Sequence, residues 1–198
     1  MAGFDLDDIA KHYAKMSDSD IIRIATQEAK GLRPEVFGII ENEVAKRNLN
    51  ADIMKGAAAQ KKKYTVGELE KYAEQLRNIA CPICNQTQKK LNGTVLYTVK
   101  SFLIVSTFSK KPLIACPDCL DKKNNDSITS TMLLGWWGIP WGILRTPFYI
   151  YNNIKIKKEN HSQKANGTLL SYTLANIGEI ETYFENPMQL QKIITVKN

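Results

Sequence analysis

Cys81-Pro82-Ile83-Cys84 and Cys116-Pro117-Asp118-Cys119 contain every cysteine of the chain, and 31 residues separate the two motifs. A Cys-x-x-Cys turn presents two thiolates to one ion, and a second such turn closes a tetrahedral four-thiolate shell with no position left for substrate. The spacing therefore predicts a structural metal site, with Zn2+ as cofactor and Cys81, Cys84, Cys116 and Cys119 as its ligands. Two disulfides or a redox dithiol are the competing readings. A redox Cys-Pro-x-Cys motif normally occurs once, opening a helix in a βαβ unit. Here it occurs twice, on either side of strand-like sequence.

That intervening sequence is dense in β-branched and aromatic residues at 94–100 and 102–108, and Pro112-Leu113-Ile114-Ala115 leads into the second motif. It predicts two or three antiparallel strands. Thr65-Val66-Gly67-Glu68 reads as a capping box. Val66, Leu69, Tyr72, Ala73, Leu76 and Ile79 follow on one helical face that delivers Cys81 to the metal. Over residues 79–121 the chain resembles zinc-ribbon proteins, on the two knuckles and the strands between them. The resemblance implies a metal and a fold and no particular activity, because ribbons serve nucleic-acid binding, protein contacts and stabilisation alike.

All three tryptophans lie in Leu133-Leu134-Gly135-Trp136-Trp137-Gly138-Ile139-Pro140-Trp141-Gly142-Ile143-Leu144. Residues 127–144 are uncharged, at the lower limit for a spanning helix, and three glycines and a proline interrupt them. Two short helices meeting at Gly138-Ile139-Pro140 are expected instead, forming an apolar hairpin with tryptophans suited to lipid headgroup level. Trp136, Trp137, Ile139, Trp141, Ile143, Leu144 and Tyr149 are the candidate contact residues for a membrane or a protein partner. Lys122, Lys123, Arg145, Lys155, Lys157 and Lys158 flank the segment as candidates for an anionic surface. The same segment could equally fill a core between the ribbon and the C-terminal helices.

The paired knuckles followed by Gly-Trp-Trp-Gly-Ile-Pro-Trp-Gly resemble a family of uncharacterised bacterial zinc-ribbon proteins, over about residues 81–183. That resemblance implies no activity. A looser one is to eukaryotic monotopic zinc domains, in which an apolar segment dips into the membrane between two cysteine knuckles; here the apolar segment follows the second knuckle.

The fold class expected is α+β, in four parts. Residues 1–60 form an N-terminal helical unit: Ser17 opens a helix with Ile21, Ile22, Ile24 and Ala25 on its apolar face, and Pro34 begins another with Val36, Phe37, Ile40 and Val44. The alanine-rich stretch 50–63, ending in three lysines, reads as a linker or frayed helix end. Residues 61–127 hold a helix and the zinc ribbon, and 128–158 the Trp/Gly hairpin. Residues 159–198 hold short helices, one around Leu169 to Ala175, broken at Asn176-Ile177-Gly178, and one from Pro187.

A net charge of +7 and 43% hydrophobic residues place the chain among ordinary globular proteins with a basic bias. The excess is greatest in residues 61–127, which hold 12 basic and 6 acidic groups. The N-terminus lacks the pattern of a secretory leader, so a cytoplasmic location is expected, peripheral or monotopic on the inner membrane. His12 and His161, the only histidines, have no cysteine or carboxylate motif beside them in sequence. No phosphate loop, nucleophile elbow or His-Glu-x-x-His motif occurs. The expectation is a non-enzymatic zinc-binding adaptor, held on the cytoplasmic face of a membrane and binding a protein partner. No small-molecule substrate is expected. The alternative is a soluble nucleic-acid-binding zinc ribbon, with Lys89, Lys90, Lys100, Lys110 and Lys111 on phosphates and Tyr97 stacking on bases.

Overall fold

The computed structural model describes residues 5–102 and 105–197. It is a mixed α+β chain in which one two-stranded antiparallel sheet stands among helices. Two compact units replace the four consecutive parts expected. Residues 1–68 and 174–186 make the first, and residues 69–173 and 187–198 the second.

In the first unit, α1 (Leu6–Ala14), α2 (Asp18–Arg23) and α3 (Pro34–Lys46) are short amphipathic helices. Ser17 caps α2, accepting from the Asp20 N–H, and Pro34 opens α3 where its missing N–H costs nothing. Ile21, Ile24, Ala25, Val36, Ile40 and Val44 form the core, in agreement with the apolar faces seen in the sequence. The alanine-rich stretch is α4 (Asp52–Ala59), a core helix rather than a linker, with Ile53 and Ala57 fully buried. Its small residues serve close packing: a Cβ on Gly56 would lie 2.3 Å from the Gly178 carbonyl of α9 (Ile177–Thr182). The helical chain does break at Asn176, as expected, and α9 starts at the next residue.

In the second unit, α5 (Val66–Arg77, beginning in the first unit) buries Leu69, Ala73 and Leu76, while Val66 stays exposed. β1 (Asn92–Phe102) pairs with β2 (Val105–Ala115) from Asn92↔Ala115 to Phe102↔Val105. The expected third strand at Pro112 is a continuation of β2, with Pro112 opposite Val95. The expected strand over 102–108 runs through Leu103 and Ile104, which lie outside the described residues. Beyond the sheet come α6 (Pro117–Leu134), α7 (Trp141–Lys157), α8 (Gly167–Ala175, ending in the first unit) and α10 (Pro187–Lys197).

The helices α6 and α7 form a hairpin packed along β1. The contact is polar. Asn153 accepts from the Tyr97 N–H at 3.0 Å and donates to its carbonyl at 2.6 Å. Thr131 accepts from the Val99 N–H, and Asn166 brackets Gly93 in the same way as Asn153 brackets Tyr97. Side chains thus occupy the β1 edge that has no strand neighbour, which removes a template for unwanted strand pairing.

Candidate metal centre and apolar tip

The first knuckle is a tight turn after α5. The Cys81 N–H donates to the Gln86 carbonyl and the Asn85 N–H to the Cys81 carbonyl, each at 2.9 Å, with Asn85 at φ 57°. Asparagine tolerates this left-handed backbone better than most residues. The second knuckle is not a ribbon turn but the first turn of α6: Cys116 is the cap, Pro117 the first helical residue, and Cys119 lies one turn in. A helix start suits this role because its free N–H groups favour negative charge.

The four cysteine sulfurs lie within 4.8 Å of one another, the one group of three or more such ligand atoms among the described residues. Cys84 Sγ and Cys116 Sγ are 3.7 Å apart. Four sulfurs about 2.3 Å from a tetrahedral ion stand about 3.8 Å from each other, so the spacing fits a metal ion such as zinc. The Cys116 N–H donates to Cys81 Sγ at 3.4 Å, a bond that favours thiolate. Burial alone raises the Cys81 thiol, but N–H donors from Cys116, Cys84 and Ile83 bring it down to about 7. Burial pushes Cys116 and Cys119 up, and the neighbouring thiols add to the rise at Cys119. A dication among the four sulfurs would reverse that resistance to ionisation. Lys89 and Asp118 form an ion pair beside the site.

At the other end of α6, about 27 Å away by helical rise, the chain turns through Gly135 to Pro140 into α7. The Ile139-Pro140 peptide is cis. Trp136, Trp137, Ile139 and Trp141 are 44%, 68%, 75% and 58% exposed, and Ile143 and Leu144 are exposed too. All of these candidate contact residues are surface residues in the turn between α6 and α7 or the first turn of α7. The Trp137 indole N–H donates to the Leu133 carbonyl at 2.9 Å, so the ring's polar edge is spent on the last turn of α6.

Tyr149 does not belong to that set. It is 4% exposed and packs edge-on against Tyr97 at 5.6 Å, because position 149 falls on the α7 face turned to the sheet, in line with Gly142, Thr146 and Asn153. The flanking cations also divide. Arg145 stands one turn beyond Trp141, whereas Lys155, Lys157 and Lys158 end α7 and Lys122 and Lys123 lie early in α6. Helical rise puts these lysines about 15 Å or more behind the tip. His161, though exposed as expected, has a carboxylate partner, Asp121, at 3.2 Å.

Sequence inspection missed Phe102 and Val105, exposed at the sheet's end beside the helical turn. A signal was present. Phe102 and Val105 belong to the apolar run 102–105, in which the sequence has no Gly, Asn, Asp or Pro.

Among the described residues, no helix is long and apolar enough to cross a membrane. Comparison of the chain with protein-family models, curated proteins and solved structures finds no match.

Proposed function

We propose that this chain is a non-enzymatic zinc-binding adaptor that sits on the cytoplasmic face of a membrane through its Trp/Gly tip and engages a protein partner. The carrying observation is the exposure of three tryptophans and Ile139 on one turn. An apolar projection rich in tryptophan suits the interface of a bilayer, where such rings are favoured. The zinc, held by all four cysteines as in a zinc ribbon, has a structural role: a closed four-thiolate shell offers no Lewis-acid position. It would tie the turn after α5 to the junction of β2 and α6.

The lysines set behind the tip fit the same reading. With an apolar tip seated about 5–10 Å below the headgroup boundary, groups about 15 Å or more back stand at the outer headgroups, within screening distance of anionic lipid. The nucleic-acid alternative draws less support. Lys89 and Lys90 are engaged by Asp118 and Glu74, Lys110 and Lys111 point to opposite faces of β2, and Tyr97 packs on Tyr149.

Flotation of zinc-loaded protein with anionic vesicles tests the proposal, beside the variant Trp136→Ser/Trp137→Ser/Trp141→Ser. Flotation that survives high salt and vanishes in the folded variant supports it. Absence of flotation in the wild type sinks it.

A further inference from the structure

The helical tip does not stand alone. The Ser101 hydroxyl donates to the Gly135 carbonyl at 3.0 Å and shares a 2.9 Å hydrogen bond with Ser106 across the sheet. A Cβ on Gly138 would come within 2.1 Å of Ser106 Oγ, and one on Gly142 within 2.8 Å of Ser101 Oγ. Glycines at these two positions let the helical turn lie directly on the end of the sheet. Phe102 and Val105, the next residues outward from Ser101 and Ser106, are 77% and 64% exposed. Two apolar prongs, one helical and one of sheet, therefore emerge side by side.

At their seam stands Arg145. Its guanidinium lies 4.5 Å from the Phe108 ring of β2 and 5.9 Å from the Trp141 ring of α7. Among the described residues no carboxylate pairs with it. The surrounding chain offers none: residues 85–117 and 127–158, which build both prongs and their stems, contain no Asp or Glu and nine Lys or Arg. A planar cation stacked on aromatic faces keeps its N–H donors free for a phosphate. Apolar prongs around an unpaired guanidinium, on stems without negative charge, complement an anionic phospholipid surface in both chemistry and sign.

Resting on the membrane reading above, we propose that the β1–β2 end inserts together with the Trp/Gly turn, and that Arg145 at their seam binds the phosphate of an anionic phospholipid headgroup. The sheet is then part of the membrane-binding device, not merely its support.

The test uses full-length, zinc-loaded protein and vesicles of phosphatidylcholine with or without phosphatidylglycerol. Phe102→Ser/Val105→Ser is expected to lower partitioning about tenfold or more at every salt concentration. Arg145→Gln is expected to remove the preference for phosphatidylglycerol, and Arg145→Lys to restore only part of it. A Phe102→Trp substitution in a chain whose native tryptophans are Phe gives a second readout, with blue-shifted emission quenched by brominated lipid. Wild-type partitioning in Phe102→Ser/Val105→Ser, with unshifted Phe102→Trp emission, overturns the two-pronged surface. The single-pronged membrane reading survives that result if the tryptophan variant is lost from vesicles. Wild-type protein that ignores vesicles, or that shields its tryptophans by dimerising in their absence, overturns both.

Discussion

Ser101 Oγ and the Gly135 carbonyl meet at 3.0 Å, and through this bond the sheet's far end and the start of the helical turn are held in one body. The contact demands small residues on the helical side. Gly138→Ala would drive a Cβ into the Ser106 and Ser101 hydroxyls, and overpacking of this kind costs about 1–3 kcal/mol. Adding Ser106→Gly should recover part of the loss. Urea unfolding of both single variants and the double gives the coupling, expected as a clear departure from additivity.

The metal site should be essential to the second unit's fold. Cys116→Ser removes a candidate ligand while leaving a good N-cap residue at the start of α6, and a structural zinc contributes folding free energy outright, on the order of 10 kcal/mol in small domains. Loss of zinc on atomic-emission analysis and loss of sheet and helix signal by circular dichroism should accompany one another, and chelation of the wild type should reproduce both.

Zinc uptake should release protons. Burial raises the Cys116 and Cys119 thiols, so both are protonated at neutral pH in the metal-free protein and must ionise to bind. With at least these two protons displaced, apparent affinity should rise by at least about a hundredfold per pH unit near neutrality. Calorimetry in buffers of different ionisation enthalpy counts the protons; a pH-independent affinity would contradict the assignment.

Neighbouring residues of α7 should respond in opposite ways. Tyr149→Ala empties a buried site against Tyr97 and Phe108 and should cost about 3–5 kcal/mol. Phe148→Ser, at an exposed position, should change stability by less than about 0.5 kcal/mol. Thermal unfolding of the two variants distinguishes the buried face of α7 from its exposed one.

The capping box at the start of α5 should make stability acid-sensitive. Its carboxylate, Glu68, is held down at about 2, first by Lys62 and then by the Thr65 backbone and hydroxyl. A depressed carboxylate stabilises the fold above its ordinary range near 4.5, and that contribution fades as pH falls from there towards 2. Glu68→Gln should flatten the stability profile over this window, as followed by circular dichroism melts at successive pH values.

The four-cysteine cluster, the capping box and the apolar faces of α2, α3 and α5 were legible in sequence because each rests on a short pattern with one physical cause. The long helices of the second unit were not. Their inward stripes, Leu120, Asn124, Ser127 and Thr131 on α6 and Gly142, Thr146, Tyr149 and Asn153 on α7, have helical spacing but are mainly polar or small. A search for hydrophobic periodicity passes over them. The need for amides and hydroxyls there comes from an unpaired strand edge brought alongside by the tertiary fold. The Trp/Gly segment misled in a related way at Tyr149, where the sheet-facing stripe takes one aromatic out of an otherwise exposed series. Alanine-rich α4 looked like a linker because small residues give weak apolar signal, although close approach to α9 requires them.

The carboxylate-free stems also fix how the apolar end responds to acid. Residues 85–115 and 127–158 contain no histidine and no cysteine either, so no side chain in them has an ordinary pKa between about pH 5 and 9. On the membrane reading proposed above, the side chains of these stems supply no proton-operated release, so the proposed attachment should answer to lipid composition rather than to pH.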